Sequence, residues 1–210
     1  MNKRLLIFIT VILMAGAAYA KKQKTVEIDD NVITDQKYGW TMSFPDNWKA
    51  KSLKEPSVER VYLTKRNYSV NQYIQTYGGD YTIPTFLIYA QPFDGDVLEF
   101  EALIKRALDE HRSDNDIVSK MGILKDCDFI TSANVILDST RARQIYLKRN
   151  YKRVLDIRDE PTYINDHEVH EIYLAKPDSV MYVIHAYCER EFYEANQEEF
   201  LNLIKAIDLK

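Results

Sequence analysis

The chain has 210 residues, with 28 basic against 32 acidic side chains and a formal charge of −4. That balance favours solubility and excludes a general nucleic-acid binder, whose footprint is a basic surface. The two cysteines, Cys127 and Cys188, show no C-x-x-C spacing, which excludes thioredoxin-like chemistry and a cysteine-rich zinc site.

Lys3 and Arg4 precede an apolar run, Leu5 to Met14, broken only by Thr10, and small residues follow up to Ala18-Tyr19-Ala20. This order of charged, apolar and cleavage-site regions predicts residues 1–20 as a signal peptide cut after Ala20. The competing reading is an uncleaved N-terminal anchor, but the apolar run is short of the roughly 20 residues that span a bilayer. No cysteine near the cut could carry a lipid, and no later segment is apolar enough to cross a membrane. The expected location is therefore periplasmic or secreted, in a bacterium. Without Lys3 and Arg4 the mature chain carries 26 basic against 32 acidic residues, a net of −6. Its length suits one domain that needs no disulfide scaffold. In an oxidising compartment Cys127 and Cys188 could still pair if their Cα atoms lie within roughly 4.4 to 6.8 Å; two buried free thiols are the alternative.

Residues 21–36 open on Lys21-Lys22-Gln23-Lys24, are polar and lack periodicity, so they read as a flexible leader or a short edge strand. Residues 37–210 read as a single domain. Trp40, Met42 and Phe44 alternate with polar neighbours as a half-buried strand does, and Pro45-Asp46-Asn47 stops it, leaving Trp48 to pack back onto the sheet. Residues 58–64 and 82–91 are β-favouring, with a polar, tyrosine-rich excursion between them. Asp96 with Glu99 three residues on forms a capping box. Phe100, Leu103, Ile104 and Ala107 then mark one face of a helix over 97–111. Strands follow at 133–137, 142–149, 168–176 and 180–188, the last two joined by a turn at Pro177-Asp178. A final helix over about 194–206 presents Phe200, Leu203, Ile204 and Ile207 on one side. Antiparallel strands interrupted by two helices predict an α+β fold, an antiparallel β-sheet sandwiched between amphipathic helices.

The segment Tyr38-Gly39-Trp40-Thr41-Met42-Ser43-Phe44-Pro45-Asp46-Asn47-Trp48 resembles the opening of PsbP-like proteins: an aromatic-Gly-aromatic strand, then Pro, two small or polar residues and Trp. The ending is similar too, with the strand Val180–Cys188 leading into a helix bearing Phe200, Ile204 and Ile207. The resemblance covers the two ends of the chain; the middle agrees only in the order of its elements. It implies a sheet sandwiched by helices, in proteins that are mostly non-catalytic: photosystem accessory subunits, regulators of small GTPases and bacterial envelope proteins. A signal peptide excludes the GTPase role. None of that family's metal-linked residues can be placed on matching positions, so no site is carried over.

Three constellations remain. In Asp166-His167-Glu168-Val169-His170-Glu171 the two histidines point to opposite faces of a strand. A turn at Pro177-Asp178 instead places His170 directly opposite His185, bordering an apolar face with Ile172, Val183, Leu174 and Met181. That pair is a candidate metal site if a carboxylate joins it, or a packed structural pair. Arg141 to Arg153 holds six basic residues and no acid. Arg143, Arg149 and Lys152 could thus hold an anionic group, or the stretch is a solvated strand end neutralised by Asp156, Asp159 and Glu160. Tyr68, Tyr73, Tyr77 and Tyr81 supply the amphipathic area that binding surfaces use, or pack onto strands. No G-x-S-x-G elbow, P-loop, dinucleotide fingerprint or H-E-x-x-H is present. Cys188 and His185, three apart on one strand, face opposite ways and make a poor nucleophile and base. The expectation is a non-catalytic binding or accessory protein with no cofactor and an unidentified envelope protein or ligand as partner.

Overall fold

The computed structural model describes residues 25–53, 57–66, 68, 82–157 and 160–209. Strands β1 (Val26–Asp29) and β2 (Val32–Asp35) form a hairpin whose turn residues Asp30 and Asn31 have φ of 43° and 62°. Both are left-handed, as the tight turn that matches strand twist requires. β3 (Trp40–Ser43) pairs with β2, and β11 (Ile207–Leu209) pairs with β3, completing a four-stranded antiparallel sheet. Of the two readings of residues 26–35, leader or edge strand, the structure has strands, with β1 at the edge of this sheet. Ile33 and Asp35 are wholly buried there.

The main sheet has seven strands. They are β4 (Trp48–Ser52), β5 (Glu59–Lys65), β6 (Thr85–Pro92), β7 (Cys127–Leu137), β8 (Thr140–Ile157), β9 (Glu160–Ala175) and β10 (Val180–Glu189). Their spatial order is β4-β5-β6-β10-β9-β8-β7, every pairing antiparallel. One face packs on α1 (Val97–Glu110) and the short α2 (Asp116–Lys120), around Phe100, Ile104, Ile117, Ile145, Ile172 and Leu174. The opposite face packs on α3 (Arg190–Lys205) and the small sheet, around Trp40, Trp48, Phe86, Ile184 and Phe200. The fold is α+β with antiparallel sheets between helices. Among the described residues no helix is long and apolar enough to cross a membrane.

The capping box on α1 is present: Asp96 accepts from the Leu98 and Glu99 amides, and Glu99 accepts from the Asp96 amide. Its C-terminus stops at His111, which adopts a left-handed φ of 53°. The last helix starts earlier than its pattern suggests, at Arg190, because β10 runs straight into it with no side-chain cap to mark the junction. Phe192 and Tyr193 in its first turn already face inward. Ile207 lies beyond the helix, in β11 opposite Met42. The two sheets are tied by a buried ion pair, Arg60 Nε to Asp35 Oδ2 at 2.7 Å.

The β9–β10 hairpin turns one residue later than Pro177-Asp178, so its register shifts by two. His185 lies opposite Ile172, and His170 opposite Tyr187. A shift of two keeps every side chain on its expected face, so the histidines become diagonal rather than direct neighbours.

Candidate functional site

The α1 face of the sheet ends in a polar row. Cys127, Arg149, Glu168 and Glu189 occupy successive register positions across β7, β8, β9 and β10. Behind it stands the row of Phe129, Leu147, His170, Tyr187 and Thr85. His185 belongs to the next row in, between Ile172 and Leu87.

The two histidines meet inside this layer, His170 Nδ1 lying 2.9 Å from His185 Nε2. Their rings and that of Tyr187 form a stacked trio with centroids 4.8 to 5.1 Å apart. His170 Nε2 lies 3.3 Å from Glu168 Oε2, and Glu168 also takes the Thr82 hydroxyl and Arg149 Nη1. Burial alone would raise the Glu168 carboxyl, but bonds from His170 and Thr82 and the charge of Arg149 hold it down at about 2. A carboxylate calls for an N–H on His170 Nε2. His170 Nδ1 and His185 Nε2 form one hydrogen bond, whose donor depends on the tautomers of the two rings. His185 Nδ1 is buried without a hydrogen-bond partner, and His170 Nε2, despite its approach to Glu168, also makes no hydrogen bond. Burial drives His185 well below its ordinary range, and neighbouring His170 adds to the effect.

The two facing ring nitrogens are in hydrogen-bond contact with each other. Among the described residues no group of three or more His, Cys, Asp or Glu side chains is placed to hold an ion. His167 lies in the register row opposite Asn150, on the other face from His170, as its spacing predicts.

The basic stretch divides into paired and open members. Arg143 is engaged by Glu101 of α1 at 2.5 Å, with Ser132 and Asn134 as further acceptors. Burial would raise the Glu101 carboxyl, yet Arg143, Lys105 and Ser132 hold it down at about 2. Arg149 pairs with Glu168. The acids serving these two arginines come from α1 and β9; the side chains of Asp156, Asp159 and Glu160 lie outside the described residues. Lys152 is exposed and lines an open depression of about 570 Å³ with Asp126, Asn150, Tyr151, Asn165 and Asp166.

Tyr68 is a packing residue. Its ring stands edge-on to Phe192 at 5.1 Å, and its hydroxyl accepts from Asn196 Nδ2 at 2.8 Å. Tyr73, Tyr77 and Tyr81 lie outside the described residues. Of the two alternatives for Cys127 and Cys188, the structure holds free thiols. Cys127 packs against the α1 face and Cys188 against the α3 face, so the sheet itself separates them. Burial pushes each thiol up to about 12.

The feature missed from the sequence is a projecting ribbon. β9 loses its β10 neighbour after Glu168, and β8 loses β7 after Arg149. Yet β8 and β9 continue paired from Asn150↔His167 to Ile157↔Glu160. Over that length the ribbon has no flanking strand among the described residues. Tyr163 is 67% exposed and Ile164 40%. They neighbour each other on one strand, so both faces of the ribbon present an apolar group. Polar residues such as Asn150, Lys152, Arg153, Asp156 and 158–160 conceal the strand pattern in the sequence; the signal was the set of β-formers Val154, Ile157, Tyr163 and Ile164 interspersed among them.

No family model matches the chain, and no curated protein matches it. Among solved structures it is similar to cyanobacterial PsbP from Synechocystis sp. PCC 6803, with a TM-score of 0.46 and 10% identity over 90% of this chain and 94% of that one. It is similar to the Saccharomyces cerevisiae Ran-binding protein Mog1p, with a TM-score of 0.46 and 9% identity over 87% and 96%. LpqN of Mycobacterium tuberculosis, described as involved in cell envelope biogenesis, gives 0.42 and 8% over 81% and 82%. The fold class itself rests on the strands and helices of this chain.

Proposed function

We propose that the protein is an exported, non-catalytic binding or accessory factor of the periplasm or cell envelope, and that it meets its partner through the β8–β9 ribbon. The observation that carries this reading is the ribbon's projection past the last complete row of the sheet with Tyr163 and Ile164 exposed. An isolated two-stranded ribbon is marginal in water, so a partner that covers it gains from ordering already done by the sheet at its base. Lys152 at that base adds a cation beside the apolar groups. The signal-like N-terminus supports export. The raised Cys127 and Cys188 thiols and the buried, neutral His185 support a role without covalent or acid-base chemistry.

The test is site-specific photo-crosslinking in living cells. A photoreactive residue at position 163 should give one dominant adduct, absent when the same residue replaces the exposed Leu98 of α1. Equal adducts at both positions, or none at 163, would remove the ribbon from the account.

A further inference from the structure

We infer that β7 is the docking edge for a second copy of this chain, the two β7 strands pairing antiparallel about a two-fold axis at Ala133. The inference is independent of the ribbon reading and starts from how the four sheet edges are protected. A strand edge offers unpaired N–H and C=O groups to any other chain, and natural edges are kept short or charged to prevent it. β11 has three residues, and β1 has four with Glu27 and Asp29 exposed. β4 has five, with Lys49 and Lys51 exposed. β7 is the exception, with eleven residues, no lysine, arginine or proline, and Asp128 as its one charged side chain. Among the described residues β7 pairs with β8 alone, and its outer edge ends the sheet. It also exposes Ile130 at 53% and Ile136 at 70%.

The pattern on that edge is self-complementary. With Ala133 facing its own copy, Thr131 lies opposite Val135 of the second chain. Ile136 comes opposite Ile130, the extra residue of the bulge between Phe129 and Thr131. Both exposed isoleucines are therefore met by isoleucine, twice per dimer. An arbitrary extended peptide would match one strand; this symmetry matches the strand to itself, as a closed two-fold interface requires. No basic or acidic side chain lies between 129 and 137 to repel its copy. Like charges meet only at the ends, Asp128 against Asp138, and each carboxylate already has a partner: Asn150 Nδ2 at 2.5 Å for Asp128 and the Leu209 amide at 2.7 Å for Asp138. Pairing would join two seven-stranded sheets into one continuous layer and remove both unguarded edges.

Sedimentation of the purified protein across a concentration series tests the claim, with variants that report register. The native protein should dimerise reversibly, and Ile130→Lys with Ile136→Lys should weaken the dimer by about 100-fold or more with an unchanged circular dichroism spectrum. Directly opposed residues of an antiparallel pair have Cα atoms roughly 4.5 to 5.5 Å apart, within disulfide reach. Ala133→Cys should thus form a covalent dimer under oxidation, while Thr131→Cys, offset from its own copy, should not. A native protein monomeric at every concentration, or a dimer insensitive to the two lysines, overturns the inference. Cross-linking through Thr131→Cys in place of Ala133→Cys overturns the two-fold at Ala133.

Discussion

His185 Nε2 lies 2.9 Å from His170 Nδ1 inside the core, and its other ring nitrogen is buried without a hydrogen-bond partner. A proton arriving at that nitrogen would be buried as an unmet N–H on a charged ring, with His170 alongside. Glu168 and Arg149 lie in the outer polar row, Tyr187 stacks on the pair, and Cys127 contributes a raised thiol. The nearest carboxylate contact, Glu168, is made by His170 and not by His185. The pair therefore accepts neutrality at His185 as the condition of folding.

The pH dependence follows with a definite sign. His185 in the folded chain lies well below its ordinary 6.5, whereas the unfolded chain titrates near that value. The unfolded state binds the extra proton, so the contribution is fully present above pH 6.5 and is lost as pH falls below it, at up to about 1.4 kcal/mol per pH unit. Thermal melts at pH 7 and pH 5 should show a larger loss for the native protein than for His185→Leu. Equal losses would mean that His185 is not the group responsible. Glu168, lowered from 4.5 to about 2, adds a second loss confined to the window below pH 4.5.

Removing the α1 cap should cost about 1 kcal/mol. Asp96 holds two amides of the first turn, and an N-cap Asp replaced by Ala commonly loses that much. Urea denaturation of Asp96→Ala should show a lower midpoint with an unchanged slope. A neutral result would mean that packing of Phe100 and Ile104 alone sets the helix start.

This cap was readable directly, because Asp96 and Glu99 act through local spacing, and so was β3, whose Trp40 and Met42 alternate with polar residues. Faces were readable as well: the parity of His170, Ile172 and His185 survives any even shift of register. The register itself was not, since Lys176 to Ser179 admits turns differing by one residue. The small sheet escaped notice because its inward positions include Asp35, which looks like surface until Arg60 arrives from another strand. Charge pairs such as Arg143–Glu101 join residues 42 apart, and no spacing rule announces them.

The Arg60–Asp35 pair should be costly to break and cheap to replace. Both side chains are almost inaccessible, at 1% and 0%, so Asp35→Ala leaves a buried guanidinium without its main counter-charge. Such a cut typically costs about 3–5 kcal/mol. Converting both, with Asp35→Leu and Arg60→Met, should recover most of that loss in chemical denaturation. If the double variant is as unstable as the single one, other partners of Arg60, such as the Ser57 carbonyl, the Thr25 hydroxyl and the Tyr38 ring, carry the junction instead.

Arg143 and Lys152, two candidates of the basic stretch, should separate by experiment. Arg143 is bound to Glu101, Ser132 and Asn134, so Arg143→Ala should destabilise the fold by about 1–3 kcal/mol, the range for losing hydrogen bonds to a charged group. Lys152 is exposed on the ribbon, and a surface substitution away from structural contacts usually stays within about 0.5 kcal/mol. Lys152→Ala should therefore leave the melting curve in place while reducing the adduct formed by the photoreactive residue at position 163. The reverse outcome, a stable Arg143→Ala that no longer captures its partner beside a Lys152→Ala that does, would move the contact surface from the ribbon to the α1 edge of the sheet.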